Sequence, residues 1–301
     1  MPAPYVGRFA PSPSGPLHAG SLVAALGSWL DARCAGGRWL LRIEDVDSRR
    51  CSPQAARRIL QQLAECGLHA DGAVIWQSRR TAAYAQALQR LRQQRLAYAC
   101  SCSRADLLRA GACRSPSGEL LYPGSCRNGP CRAGGAPLAW RLRLPPAPQC
   151  QVRWHCARLG EQFDGVERQV GDFVLRRADG DWAYQLAVVV DDAAQGVTEV
   201  VRGEDLAAST ARQLLLQRAL ELPTPGYLHL PLLRDAAGRK LSKSRGDAPF
   251  VPGAQALRDA ALVLGLHLDP GDVQQVLAQA LQQWPRLRAD WARRAASRTA
   301  G

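Results

Sequence analysis

Of the 39 basic residues in this 301-residue chain only two are lysines, Lys240 and Lys243, three apart in Lys240-Leu241-Ser242-Lys243-Ser244. A lysine that merely had to be positive and solvated has a ready substitute in a chain that uses arginine everywhere else. The two that remain mark a place where a compact, rotatable charge serves and a planar fork does not. A point charge can follow a phosphoryl group through a reaction without imposing bidentate geometry, so phosphate chemistry is the first expectation. The plain alternative is two lysines on one polar turn. The second candidate is the loop Pro11-Ser12-Pro13-Ser14-Gly15-Pro16-Leu17-His18-Ala19-Gly20-Ser21, which leads into a helical pattern. A helix start offers N–H groups without intrahelical partners and a partial positive charge, both suited to phosphates. His18 at that entrance could donate to a phosphate oxygen, and Gly20 would let a flat ring approach the backbone. Alone, His18 reads as a capping or packing residue; with the distant lysine pair it reads as part of a nucleotide site.

Cysteine supplies the third candidate. Cys100-Ser101-Cys102 is followed by Tyr122-Pro123-Gly124-Ser125-Cys126 in a stretch rich in Cys, Gly and Pro. Thiolates at short spacing in a segment too small for its own core form a natural closed zinc site. Chemistry alone would choose a fourth thiolate, and Cys113 and Cys131 are both near enough to compete. Cys34, Cys51, Cys66, Cys150 and Cys156 follow no pattern and read as small core or surface residues.

The elements that must position these groups follow from periodicity and caps. A strand near Tyr5 to Phe9, a helix from about Gly20 to Cys34 closed by Gly36-Gly37, and a strand at 39–43 ending in Glu44-Asp45-Val46-Asp47 form a βαβ start. Ser52-Pro53 predicts the N-cap and first residue of a helix that stops near Gly67. Alternation of this kind predicts an α/β fold with a parallel sheet, whose ligands sit beyond the carboxyl ends of the strands. Residues 98–148 read as an insertion containing one strand-like segment at 138–144. Sheet-like signals are expected from Asp172 to Val201, with Asp179-Gly180 as a hairpin turn. A helix is expected from about Ala207 to Leu220, and further helices at roughly 252–264, 270–283 and 286–296.

Length and an apolar content of 47% allow a sizeable core. Clean apolar runs such as Leu186-Ala187-Val188-Val189-Val190 reach only five residues, far too short for a membrane span. No signal peptide is visible at the amino terminus, so a cytoplasmic location without membrane contact and reduced thiols are expected. The net charge of +13 is concentrated: residues 79–132 carry ten arginines against Asp106 and Glu119. A basic lobe of that strength favours a polyanionic partner, nucleic acid first, over simple solubilisation.

His18-Ala19-Gly20-Ser21 together with Lys240-Leu241-Ser242-Lys243-Ser244 resembles the two signatures of class I aminoacyl-tRNA synthetases. Gly7-Arg8-Phe9-Ala10-Pro11-Ser12-Pro13-Ser14-Gly15, Leu41-Arg42-Ile43-Glu44-Asp45-Val46-Asp47, Asp191-Asp192 and Arg202-Gly203-Glu204-Asp205-Leu206 narrow the likeness to the glutamyl/glutaminyl branch. Ser21 stands where the class signature has its second histidine, as in that branch, and Leu206 stands where a histidine is expected. Residues 245–301 leave room for a few helices but not for a separate anticodon-binding domain, which points to truncated paralogues within the branch.

The resemblance implies a Rossmann-like catalytic core with an inserted zinc-bearing, acceptor-type subdomain and a short helical carboxyl-terminal segment. The expected boundaries are 1–97 and 149–245 for the two halves of the core, 98–148 for the insertion and 246–301 for the helices. It implies ATP-dependent activation of glutamate and transfer to the queuosine base at the wobble position of tRNA(Asp). Arg8 and Arg202 are forks suited to carboxylates, Glu44 can pair with the α-ammonium, and Ser12 and Tyr184 can add hydrogen bonds. Without the likeness, Glu44 could be a surface acid beside Arg42, and Tyr184 a core aromatic on a sheet. His18, Gly20, Ser21 and Lys243 would hold ATP with Mg2+, with Lys243 stabilising the leaving pyrophosphate and Lys240 second. One Zn2+ per chain would be bound by Cys100, Cys102, Cys126 and Tyr122. Rival expectations are an enzyme that charges a tRNA 3′ end, a zinc-bearing RNA-binding paralogue without catalysis, and a small-molecule ligase or nucleotidyltransferase.

Overall fold

Alternation of short apolar segments with periodic ones builds the first half of the molecule, as a computed structural model that describes residues 4–115, 118–132, 135, 137–233 and 250–299 displays. Strand β1 (Val6–Phe9) is buried at every residue. It leads to helix α1 (Ala19–Cys34), whose buried residues run round most of its circumference, the pattern of a helix covered on more than one side. Gly36 takes φ +62°, and a Cβ on Gly37 would stand 2.5 Å from the Tyr5 carbonyl oxygen. The chain reverses there into β2 (Arg38–Ile43). Helix α2 (Pro53–Glu65) starts as its sequence predicts, with Ser52 accepting from the Ala55 N–H and Pro53 at the first position.

After β3 (Ile75–Trp76) come α3 (Thr81–Gln93), β4 (Ala97–Cys100), α4 (Arg104–Arg109) and β5 (Ala139–Leu142). A hairpin of β6 (Gln151–Cys156) and β7 (Gly160–Gly165) follows, then α5 (Val166–Gln169) and β8 (Val174–Arg176). The chain continues through α6 (Tyr184–Ala194), β9 (Glu199–Gly203), α7 (Ala207–Leu220) and β10 (Gly226–Leu230). Helices α8 (Ala254–Leu264) and α9 (Val273–Thr299) complete the described residues.

β1, β2 and β3 pair in parallel, Val6 opposite Arg38 and Arg42 opposite Ile75. β9 and β10 also pair in parallel, Gly226 opposite Glu199. The two groups meet where Thr198 donates its N–H to the Val6 carbonyl at 2.9 Å, giving the order β3-β2-β1-β9-β10. Chain windings leave β1 in opposite directions in that order, so a crevice opens beyond the carboxyl ends of β1 and β9. One buried cluster joins α1, α2, α8 and α9 to β1 and β2; a second joins α3, α6 and α7 to β5, β6 and β8.

Two sequence expectations fail. The run at 184–194 is a helix, not part of a sheet, and Tyr184 begins it. Leu186, Ala187, Val188 and Val189 are all buried, and a short run apolar on every side carries no period to separate helix from strand. Packing between α3 and α7 decides it. The break expected between 283 and 286 is also absent, since α9 continues through Pro285. Proline costs a helix interior about 3 kcal/mol. Here Trp284 donates to Asp31 at 2.9 Å and Arg288 pairs with the same carboxylate at 2.7 Å, so contacts on both sides of the proline tie α9 to α1. The turn at Asp179-Gly180 forms as expected, with Gly180 at φ +98°. Hairpin β6–β7 and strand β10 were not foreseen.

Candidate active site

A cavity of about 560 Å³ occupies the crevice, lined by Arg8 and Phe9 from the end of β1, Glu44 after β2, and Arg202 and Gly203 from the end of β9. Ser12, His18, Gly20, Ser21 and Tyr184 also line it. The fold thus brings every sequence-predicted amino-acid and nucleotide residue among the described residues to one cavity. Lys240 and Lys243 lie outside the described residues.

One wall of the cavity is built by the start of α1. His18 is its N-cap, in extended backbone conformation, and Nδ1 accepts from the Ser21 N–H at 3.3 Å. An accepting Nδ1 leaves the neutral ring's proton on Nε2. With no acidic residue in its first turn, the helix start keeps its favourable field for an anion. The preceding loop is held by groups the sequence reading did not identify. Buried Gln62 on α2 accepts from the Leu17 N–H at 2.8 Å and donates to the Leu17 carbonyl at 3.3 Å. The Glu44 N–H donates to the Pro11 carbonyl, and the Ser52 N–H to that of Pro13, each at 3.0 Å. The one visible signal for Gln62 was a polar residue on the apolar face of an amphipathic helix.

Behind the other wall lies a buried charge network. Arg8 Nε donates to Asp192 Oδ1 at 3.1 Å, and Arg42 Nη1 donates to the same oxygen at 2.7 Å. Arg42, fully buried, also donates to Glu44 at 3.3 Å and lies 4.0 Å from Asp191. Asp191 receives Gln77 Nε2 at 2.9 Å, Tyr84 Oη at 2.7 Å, and Arg80 Nε. Burial would raise the Asp192 carboxyl, but Arg8 and Arg42 outweigh it and hold the group below the usual range. For Glu44 burial wins over the same two arginines and pushes it up, so this acid gains most from an arriving cation. Burial likewise raises Tyr184. Arg42, Asp191 and Asp192 were visible as motif residues, but their role in orienting Arg8 and Glu44 was not. Arg202 extends from β9 into a cage of Gln213, Thr210 and His229.

The cysteine-rich segment that begins at the end of β4 brings Cys100, Cys102 and Cys126 together, their sulfurs all within 4.8 Å of one another. Cys102 and Cys126 are 3.4 Å apart, and Tyr122 Oη lies 3.4 Å from Cys100 Sγ. Zinc–sulfur bonds of about 2.3 Å place tetrahedral thiolates roughly 3.8 Å apart, a spacing that suits the three converging sulfurs to a metal ion, with the Tyr122 oxygen beside Cys100. Burial pushes the Cys126 thiol up, but N–H groups of Cys131 and Ser101 outweigh it and bring it down to about 6. Cys131 Sγ touches Cys126 Sγ at 3.3 Å without belonging to the converging three, and Cys113 turns to the Gly111 carbonyl.

Known proteins place this architecture. Residues 5–251 match the family described as tRNA synthetases class I (E and Q), catalytic domain. A glutamyl-Q tRNA(Asp) synthetase of Leptothrix cholodnii is 58% identical over 296 residues, covering 95% of this chain and 97% of the relative. One of Albidiferax ferrireducens is 53% identical, covering 94% and 99%. Among solved structures, a glutamate-tRNA synthetase from Elizabethkingia anophelis superposes with a TM-score of 0.74 at 24% identity, covering 91% of this chain. The chain spans 65% of that protein's length. No helix among the described residues is long and apolar enough to cross a membrane. A family match over most of the chain, relatives above 50% identity and a shared fold agree: the chain is a ligase that belongs to the class I tRNA synthetase family, in its glutamate and glutamine branch.

Proposed function

We propose that the protein activates L-glutamate with ATP and transfers it to queuosine at the wobble position of tRNA(Asp). The observation that carries this reading is one cavity with two chemically distinct ends: Arg8, Glu44, Tyr184 and Arg202 at one, and His18 with Gly20 at a helix start at the other. Arg8 and Arg202 would take carboxylate oxygens, Glu44 the α-ammonium, and Ser12 and Tyr184 the remaining hydrogen bonds. Glutamate's α-carboxylate oxygen then attacks the α-phosphorus of ATP. A P–O bond to the β-phosphate breaks, giving glutamyl-adenylate and pyrophosphate. Positioning and charge neutralisation accelerate such a step. His18 Nε2–H and the N–H groups at the start of α1 would hold phosphate oxygens, and Lys243 would stabilise the departing pyrophosphate, with Lys240 beside it. Mg2+ bound with ATP supplies further neutralisation of phosphate charge. Zinc held by Cys100, Cys102, Cys126 and Tyr122 would order the insertion.

Queuosine offers a cis-diol that can accept the activated glutamate as a terminal ribose does. The arginines of residues 79–132 would hold the stem of the anticodon arm through its phosphates, with affinity that falls steeply with salt. The names of the relatives support tRNA(Asp) over the 3′ end of tRNA(Glu). Labelled glutamate should be transferred to tRNA(Asp) carrying queuosine and not to the same tRNA carrying guanosine at that position. Equal labelling of both, or label confined to tRNA(Glu), would restore the terminal-charging reading.

A further inference from the structure

Two arginines border the amino-acid end of the cavity, and the rest of the protein treats them in opposite ways. Arg8 is answered by carboxylate: its Nε donates to Asp192, inside a network in which Arg8, Arg42 and Arg80 face Glu44, Asp191 and Asp192. That network is neutral within itself. Arg202, just as buried at 5% exposure, meets no carboxylate within ion-pair distance among the described residues. Its Nε donates to His229 Nε2 at 3.2 Å, Nη1 to Gln213 Oε1 at 2.8 Å, and Nη2 to Thr210 Oγ1 at 2.9 Å. All three partners are uncharged acceptors.

The cage is rigid and its polarity is determined. His229 is fully buried, stacked on Tyr227 with ring planes 2° apart and met edge-on by Trp154 at 5.3 Å. Thr210 Oγ1 lies 3.3 Å from His229 Nε2. Since Thr210 accepts from Arg202, its own hydroxyl proton is available to His229, and both neighbours present donors to Nε2. The ring proton is thereby kept on Nδ1 and the ring stays neutral. A buried guanidinium satisfied in its hydrogen bonds but not in its charge is costly until an anion arrives.

We propose that Gln213, Thr210 and His229 are specificity-determining positioning residues, which hold Arg202 as the uncompensated buried cation of the cavity so that the pocket demands a negatively charged group there. An amino acid offering a neutral amide at that point would leave the cost in place. The inference rests on the reading that glutamate is the amino acid activated and names what makes the pocket choose it.

Gln213→Glu places a carboxylate of the same shape beside Arg202 Nη1. In glutamate-dependent ATP–pyrophosphate exchange it should raise the KM for glutamate at least tenfold and leave the KM for ATP within twofold. The thermal midpoint should stay level or rise, because the buried charge gains a partner. A residue that merely supported the fold would lose stability and activity together. Thr210→Val should raise the glutamate KM about fivefold, and Thr210→Ser, which keeps the hydroxyl, should restore it. A glutamate KM within threefold of the unaltered protein in Gln213→Glu, or a midpoint that falls as KM rises, would overturn the inference. If Gln213→Glu does not fold, equal KM values for the two Thr210 variants overturn it. Failure of the unaltered protein to exchange with glutamate would instead sink the parent reading, and that failure appears in a different sample.

Discussion

The crevice and the cysteine-rich insertion hold their chemistry in place by different means. Around the crevice, side chains are fixed from behind by two large buried clusters spread over many helices and strands. The cysteine-rich segment has a third cluster whose buried members are Tyr98, Cys100, Leu107, Tyr122 and Cys126, two of which are among the converging thiols. A core supported by apolar burial can hold an internally neutral charge network, whereas a segment with almost no apolar surface to bury depends on the bonds a metal would add. Function placed on the first is expected to survive local damage that melts the second.

The largest effect should come from removing metal. Chelation, or Cys102→Ser, should collapse amide hydrogen-exchange protection in the insertion by several orders of magnitude while β1 and α1 remain protected. Uniform loss across the chain, or none anywhere, would break the comparison. Zinc content should be close to one per chain, and Tyr122→Phe should lower it; a fall in Cys131→Ser but not in Tyr122→Phe would reassign the fourth ligand.

Damage behind the crevice should be global. Arg42→Met removes one partner of a buried network and leaves Asp191, Asp192 and Glu44 undercompensated, a loss of roughly 3–5 kcal/mol typical of a broken buried pair. Denaturant unfolding should show it in every probe at once. A loss under about 1 kcal/mol would mean that the network is solvated in a way its burial does not suggest.

A smaller effect distinguishes the network from the cage. Burial, with Arg202 next to it, pushes His229 down from its ordinary 6.5 to about 2. Below pH 6.5 the unfolded chain takes a proton there that the folded chain does not. The contribution is fully present above 6.5 and shrinks as the pH falls toward 2. Between pH 7.5 and 5.5 the unaltered protein should lose about 1.4 kcal/mol more stability than His229→Gln. Equal losses would show that the imidazole takes its proton without unfolding.

Much of the site was legible along the chain because its groups sit at element ends with strong local signals. The loop into α1, the caps of α2 and the acidic run after β2 each declare a boundary through residues that can satisfy or terminate backbone hydrogen bonds. The failures were equally local. Residues 184–194 offered no period, and the break expected between 283 and 286 does not form because the contacts that carry α9 through Pro285, Asp31 with Trp284 and Arg288, join residues more than 250 apart in sequence.

By itself the sequence determined the residue types at the site, the parallel α/β character and the cysteine spacing, since each rests on chemistry or hydrogen bonding within a few residues. Only the tertiary structure decided which charge answers which. Arg8 and Arg202 look alike as residues on strands, yet Asp192 on α6 neutralises one, and Gln213 and Thr210 on α7 with His229 on β10 leave the other charged. Electrostatic pairing depends on distances between elements far apart in the chain and on their burial, and neither is set until those elements pack.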